Sequence, residues 1–255
     1  MNARRGSWAS IRYGLAVALS AAVASGLLYP GGTVLDESTR GYSLTHNFLS
    51  DLGSTVAFND ASNTAGALLF ALAVVIAVGV LAGSFVAAVR LLSASPPARP
   101  FARLAAAAGA LVCVGFLGVA LTPADRAFGL HRVSSMLAFR SFPVATALLA
   151  VATWRDRRFG ARATLGWGTL TIVLIGLIVM ARLGPGAATE RGLVTQVVTQ
   201  KIMAATVLVV LWLESREAER ASDRAVPVLP NESLQLTQAR TVPSESITPT
   251  SRLRS

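Results

Sequence analysis

The run Ser43-Leu-Thr-His-Asn-Phe-Leu-Ser-Asp-Leu-Gly53 gathers several side chains able to do chemistry. Wound at about 100° per residue, Leu44, Phe48, Leu49 and Leu52 share one arc, and His46, Asn47, Ser50 and Asp51 share the opposite one. That spacing predicts a short amphipathic helix stopped by Gly53. His46 with Ser50, and Asn47 with Asp51, form i,i+4 pairs, so the polar face is expected to close over a polar cavity. The plainer reading is an interfacial helix resting its apolar face on lipid or on the rest of the protein.

Two cations, Arg140 and Lys201, fall inside long apolar runs, where each costs roughly 2.5–3.5 kcal/mol to insert and so needs partners. They stand about 10 and 13 Å below the outer starts of their runs at helical rise, so one cavity is expected to receive both. Asp51 is the expected counter-charge, with Asp125 and Glu190 as rivals. The plainer alternative is that both cations snorkel outward. Thr195, Gln196, Thr199 and Gln200 share an arc of the Lys201 run that is too polar to face lipid. Pro143 is expected to kink its helix and free the Phe139 carbonyl.

His131 precedes Ser134 and Ser135 by three and four residues, placing all three on one face. His46 and His131 with Asp51 or Asp125 would make a two-histidine, one-carboxylate metal set. Structural hydrogen bonding is the commoner fate of such histidines, so no metal site is assigned. A Ser50, His46, Asp51 hydrolytic set fails on direction, because the acid lies elsewhere around the helix.

These residues sit in a chain of 255 residues that is 53% hydrophobic and 14% charged, against roughly 45–50% and about 25% for a soluble domain. Six apolar runs are long enough to cross a bilayer: 13–30, 64–89, 104–122, 133–154, 164–181 and 192–213. The fold expected is therefore all-α: six transmembrane helices with the short amphipathic helix in the first outer loop. Segment 1–12 precedes the bundle of 13–214, and 215–255 reads as a disordered cytoplasmic tail from its Ser, Thr, Pro and Gln content. Trp8, Tyr13, Trp154 and Trp212 are expected at the interfaces. The first run is long for a cleavable leader and is read as a span.

The net charge of +10 comes from arginines scattered between runs, not from a basic face, which argues against a nucleic-acid partner. With the N-terminus inside, thirteen arginines near the span ends are cytoplasmic and five are outside. That bias predicts a multi-pass protein of the inner (plasma) membrane with both termini cytoplasmic. Cys113 is alone, which excludes an intrachain disulfide and a thiolate metal site. No phosphate-cradling or cofactor fingerprint occurs, so no cofactor is expected. Gly79 and Gly83, and Gly115 and Gly118 in the third run, are expected to let helices approach closely.

Together, His46-Asn-Phe-Leu-Ser-Asp-Leu-Gly53, the Leu121-Thr-Pro-Ala-Asp125 turn leading to Leu130-His131, and Gly192-Leu193 opening a run that ends at Trp212 resemble a known group. It is the prokaryotic six-helix membrane family catalogued as domain of unknown function 998, and the likeness covers about residues 10 to 214. The matched positions are Ser50, Asp51, Gly53, Asp125 and His131. The resemblance implies an integral membrane protein and assigns no activity. A fainter likeness to membrane zinc hydrolases of the alkaline ceramidase type stops short, because that pattern needs three histidines and an acid, and this chain has two histidines.

The preferred expectation is non-enzymatic: an outward pocket lined by His46, Asn47, Ser50, Asp51, Asp125, His131, Arg140, Gln196, Gln200 and Lys201 binds or moves an anionic small molecule or a lipid headgroup. Membrane lipid is the expected partner. A metal-dependent hydrolase acting on a lipid ester or amide is one alternative. A structural or partner-binding membrane protein is the other.

Overall fold

The computed structural model describes residues 2–224, and the side chains of 8–221. It is all-helical, with six helices in chain order: α1 (Asn2–Leu28), α2 (Thr64–Leu92), α3 (Arg99–Leu121), α4 (Ala124–Arg155), α5 (Ala161–Leu183) and α6 (Glu190–Arg224). All six are long and apolar enough to span a membrane. An even number of crossings puts both ends of the bundle's chain on one side, the terminal end, and the long 29–63 loop at the other, the loop end.

Each helix packs on its successor and α6 returns to α1, closing a ring, with α2 also touching α6. The connections after α2 are a few residues each and permit only antiparallel neighbours, whereas α1 and α2 are joined by the long 29–63 loop. The tightest seam is α3 on α4. Ala102, Ala105, Val112, Ala138, Ala145 and Ala152 are fully buried there and elsewhere in the core, so small side chains bring backbones together where lipid supplies no hydrophobic drive. Gly115 faces the Ala138 backbone and Gly118 the Ser134 side chain, as expected of close packing. Gly79 and Gly83 are different: a Cβ on either would meet open space, so they build no seam among the described residues.

The expected short helix in the loop is present in reduced form. Instead of an α-helix over 43–53, the chain makes turns and then a 3-10 helix, Leu49–Gly53, entered from an extended Phe48 (φ −67°, ψ 157°). The cause is side-chain competition with the helical ladder. Asn47 folds back so that its Oδ1 accepts from Ser43 N at 2.9 Å and its Nδ2 donates to Gly32 O at 3.0 Å, while Asp51 Oδ2 accepts from Phe48 N at 2.8 Å. Asn47 is thereby fully buried and not on an exposed polar face.

Three other expectations shift. In α4 the backbone leaves helical angles at Ala127 (φ −141°, ψ 51°), two residues after the Asp125 that accepts from Thr55 and Val56 of the loop, while Pro143 keeps helical angles. Residues 215–224, read as tail, continue α6: Arg12 Nη1 of α1 donates to Glu219 Oε2 at 3.1 Å and to Ser215 Oγ at 3.4 Å. The tail expected over 225–255 lies outside the described residues. Trp8 is buried in the core, whereas Tyr13, Trp154 and Trp212 are exposed.

Candidate functional site

Two side chains of α6 reach up and hold the long loop. Gln200 Oε1 accepts from Leu49 N at 2.8 Å, and Lys201 Nζ donates to the Asn47 carbonyl at 2.6 Å. The same carbonyl accepts from the Tyr42 hydroxyl at 3.1 Å, and the Lys201 ammonium lies 5.1 Å from the Tyr42 ring centroid, within cation–π range. Asn47 Nδ2 continues the network to Asp51 Oδ2 at 3.4 Å.

Asp51 and Lys201 are therefore neighbours that act on each other through space, with no direct ion pair between them among the described residues. Burial pushes the Asp51 carboxyl up to about 6, against the downward pull of the Phe48 N–H, the Asn47 amide and the Lys201 charge. Burial also raises the Tyr42 phenol, which keeps it a hydroxyl able to donate to Asn47.

On the far edge of the loop, Asp125 accepts from Thr55 N at 3.0 Å and from Val56 N at 3.2 Å, and Arg126 Nε donates to Thr55 Oγ1 at 2.9 Å. Asn63, the residue before α2, donates to Leu52 O at 3.2 Å and Ser54 O at 2.8 Å. The loop is thus fastened to α2, α4 and α6, and its Leu52 packs with Tyr29 and Ala57 into a small apolar cluster of its own.

Beneath it lies a cavity of about 330 Å³, within the size range of small-molecule sites. Its walls are apolar and come from α1, α2, α3, α4 and α6, including Leu15, Ala73, Val78, Phe116, Phe142 and Leu208. Four polar residues, Ser50, His131, Ser135 and Gln200, line its loop end. The His131 Nδ1 lies 2.8 Å from the Thr122 carbonyl, which can only accept. That nitrogen therefore carries the proton and Nε2 is left for the cavity. The Ser50 and Ser135 hydroxyls and the Gln200 Nε2 make no hydrogen bond among the described residues, so the rim is rich in uncommitted donors.

Of the residues expected to form one pocket, the structure brings Asn47, Asp51, Gln200 and Lys201 together, and places Ser50, His131 and Gln200 on the cavity. Asp125 anchors the loop instead. His46 sits at the periphery, its Nε2 3.7 Å from the exposed Glu190, and Gln196 Nε2 donates to Pro185 O at 2.7 Å beside a smaller gap. Arg140 is exposed on the side of α4 turned away from the cavity, since Ala138 and Phe142 occupy the inward face. The two histidines and the two alternative acids of the two-histidine, one-carboxylate set do not converge, and no cluster of three metal-ligating side chains occurs among the described residues. Tyr42, Ser135 as a rim hydroxyl and the apolar walls were not foreseen as site. Gly31-Gly32, both at positive φ, are the one local signal that the chain turns tightly above Asn47.

Comparison with protein families matches residues 22–213 to the one described as "Protein of unknown function (DUF998)". Neither the curated proteins nor the solved structures give a match.

Proposed function

We propose, from the premise that the chain belongs to the DUF998 family of proteins of unknown function, that the loop-end cavity binds a membrane lipid by head and tail. One observation supports this reading above the others: the cavity is apolar along its depth and polar only at its rim. A hydrophilic anion would leave those walls unmatched, whereas an amphiphile satisfies both parts. From Gln200 to Leu211, both lining it, α6 rises about 16 Å, a length suited to an acyl or prenyl chain. The uncommitted hydroxyl and amide donors suit the oxygens of a phosphate or carboxylate head, and Lys201, next to Gln200, adds positive potential from behind.

The arginine bias supports an orientation with both termini in the cytoplasm, which turns the loop end outward at the plasma membrane. The protein is then a holder or carrier of lipid at the outer leaflet, not an enzyme. The test is native mass spectrometry of protein extracted in mild detergent, followed by identification of released lipid. One lipid class near one per chain is expected for the wild type, and its loss in Ala73→Phe, which fills the cavity. Wild-type protein free of lipid, or an Ala73→Phe variant that retains it equally, contradicts the reading.

A further inference from the structure

At the terminal end a second, smaller cavity of about 30 Å³ opens between α1, α2, α4, α5 and α6. Glu214 of α6 lines it, 7% exposed, in a stretch where a buried acid needs a partner. Gly166 of α5 makes room for it, since a Cβ there would overlap the carboxylate. Trp167 supplies a side-chain hydrogen bond. The nearby cations have other carboxylate partners, Arg12 Glu219 and Arg220 Glu217, and Arg12 reaches the cavity's edge only through a 3.4 Å hydrogen bond to Ser215 Oγ. Among the described residues Glu214 has no ion-pair partner.

The hydroxyls around the same cavity have spent their protons. Ser84 Oγ donates to Val80 O at 2.8 Å, Thr153 Oγ1 to Leu149 O at 2.9 Å, and Ser215 Oγ to Trp212 O at 2.7 Å. What they turn to the cavity is lone pairs. Trp8, Trp167 and Phe159 add aromatic side chains to the lining. Carboxylate, acceptor hydroxyls and aromatic rings line it without an Arg or Lys in the lining, and with the Ser84 and Thr153 oxygens out of reach of Arg12's bond to Ser215 they form an environment for a positively charged hydrogen-bond donor. A single carboxylate suits one positive charge, and the space holds one or two water-sized groups.

We propose that this cavity binds a primary ammonium group, its three N–H donors shared between Glu214 and the hydroxyl oxygens. The site is independent of the lipid reading, although Leu211 lines both cavities and alone stands on both their walls. The ammonium arrives free, as ammonium or a small alkylamine, or as the ethanolamine head of a lipid. A trimethylammonium group is too large.

The test uses full-length protein in phosphatidylcholine nanodiscs, titrated at constant ionic strength with ammonium, methylammonium, sodium or tetramethylammonium chloride. Tryptophan fluorescence and the unfolding midpoint are read together. A saturable response to ammonium and methylammonium, about tenfold stronger than to sodium or tetramethylammonium, is expected. It should vanish in Glu214→Gln and persist in Glu217→Gln. In nanodiscs containing phosphatidylethanolamine, a suppressed response assigns the site to the lipid head, and an undiminished one assigns it to free ammonium. An equal response to all four salts, a response to pH alone, or no response from folded wild-type protein overturns the proposal without recourse to any variant.

Discussion

Lys201 and Asn47, 154 positions apart, meet through a 2.6 Å hydrogen bond from the ammonium to a backbone carbonyl, so the charge on α6 holds the long loop by its main chain and not by a counter-ion. A charge-assisted bond of this kind contributes about 1.5–3 kcal/mol. Lys201→Met should therefore lower stability by about that amount and expose the 29–63 loop to protease, with Gln200 alone left to pin Leu49. Urea unfolding in detergent and limited proteolysis check this together. A loop as resistant as the wild type's would show that the bond does not fasten it.

Asp51 gives the loop a dependence on pH whose sign is fixed by the direction of its shift. Its folded value of about 6 lies above the ordinary carboxyl value of 3.8, so folding favours the protonated form. That stability is present in full below the ordinary value and is lost as pH rises through about 6. Going from about pH 7.5 to 5 should stabilise the protein by about 1 kcal/mol on this account. Unfolding midpoints at the two pH values, compared with those of Asp51→Asn, isolate the contribution of this carboxyl. An equal pH response in the variant would remove Asp51 from the explanation.

The six crossings were legible because hydrocarbon demands about twenty apolar residues and the arginines fall between those runs. Their ends were less so. Helix α4 begins at Ala124 where hydropathy suggested 133, and α6 runs to Arg224 where it suggested 213, because a helix leaving the bilayer keeps its hydrogen bonds while losing its apolar signal. Hydropathy gives depth but not azimuth: Arg140 was correctly placed in a span and assigned to the wrong side of it. The 3-10 form of Leu49–Gly53 was hidden because Asn47 bonds to Gly32, a tertiary contact that periodicity cannot register. The cavity was hidden for a different reason. Leu, Ala and Phe read alike whether they face lipid, a neighbour or a void. Glu214 was taken as the edge of the bundle when it is a buried part of it.

The glycines divide into two classes that substitution separates. A Cβ on Gly115 would stand 2.8 Å from the Ala138 Cα, a backbone atom that cannot swing aside. Gly115→Ala should cost about 1–3 kcal/mol through separation of α3 from α4. Gly83→Ala meets open space, and in a helix interior alanine is preferred to glycine by up to about 1 kcal/mol, so no loss is expected there. Equal destabilisation by both, measured by thermal unfolding in the same detergent, would contradict the packing described for α3 and α4.

Arg140 lies on the outer surface of α4, away from the rim residues His131 and Ser135 on the same helix. Replacing it with leucine removes a cation that costs roughly 2.5–3.5 kcal/mol at a span centre and adds a residue that inserts favourably, so α4 should enter the membrane more readily by about 3 kcal/mol. A glycosylation-mapped insertion assay of the α4 segment measures that change directly. Lipid retention by the intact protein should stay unchanged, because neither the cavity wall nor the loop network includes this side chain. Ser135→Ala is the contrasting variant: it deletes one rim hydroxyl and should weaken retention about fivefold, equivalent to about 1 kcal/mol, while leaving insertion alone. If Arg140→Leu abolished lipid retention in folded protein and Ser135→Ala did not, the head-binding rim would have to be moved to the other face of α4.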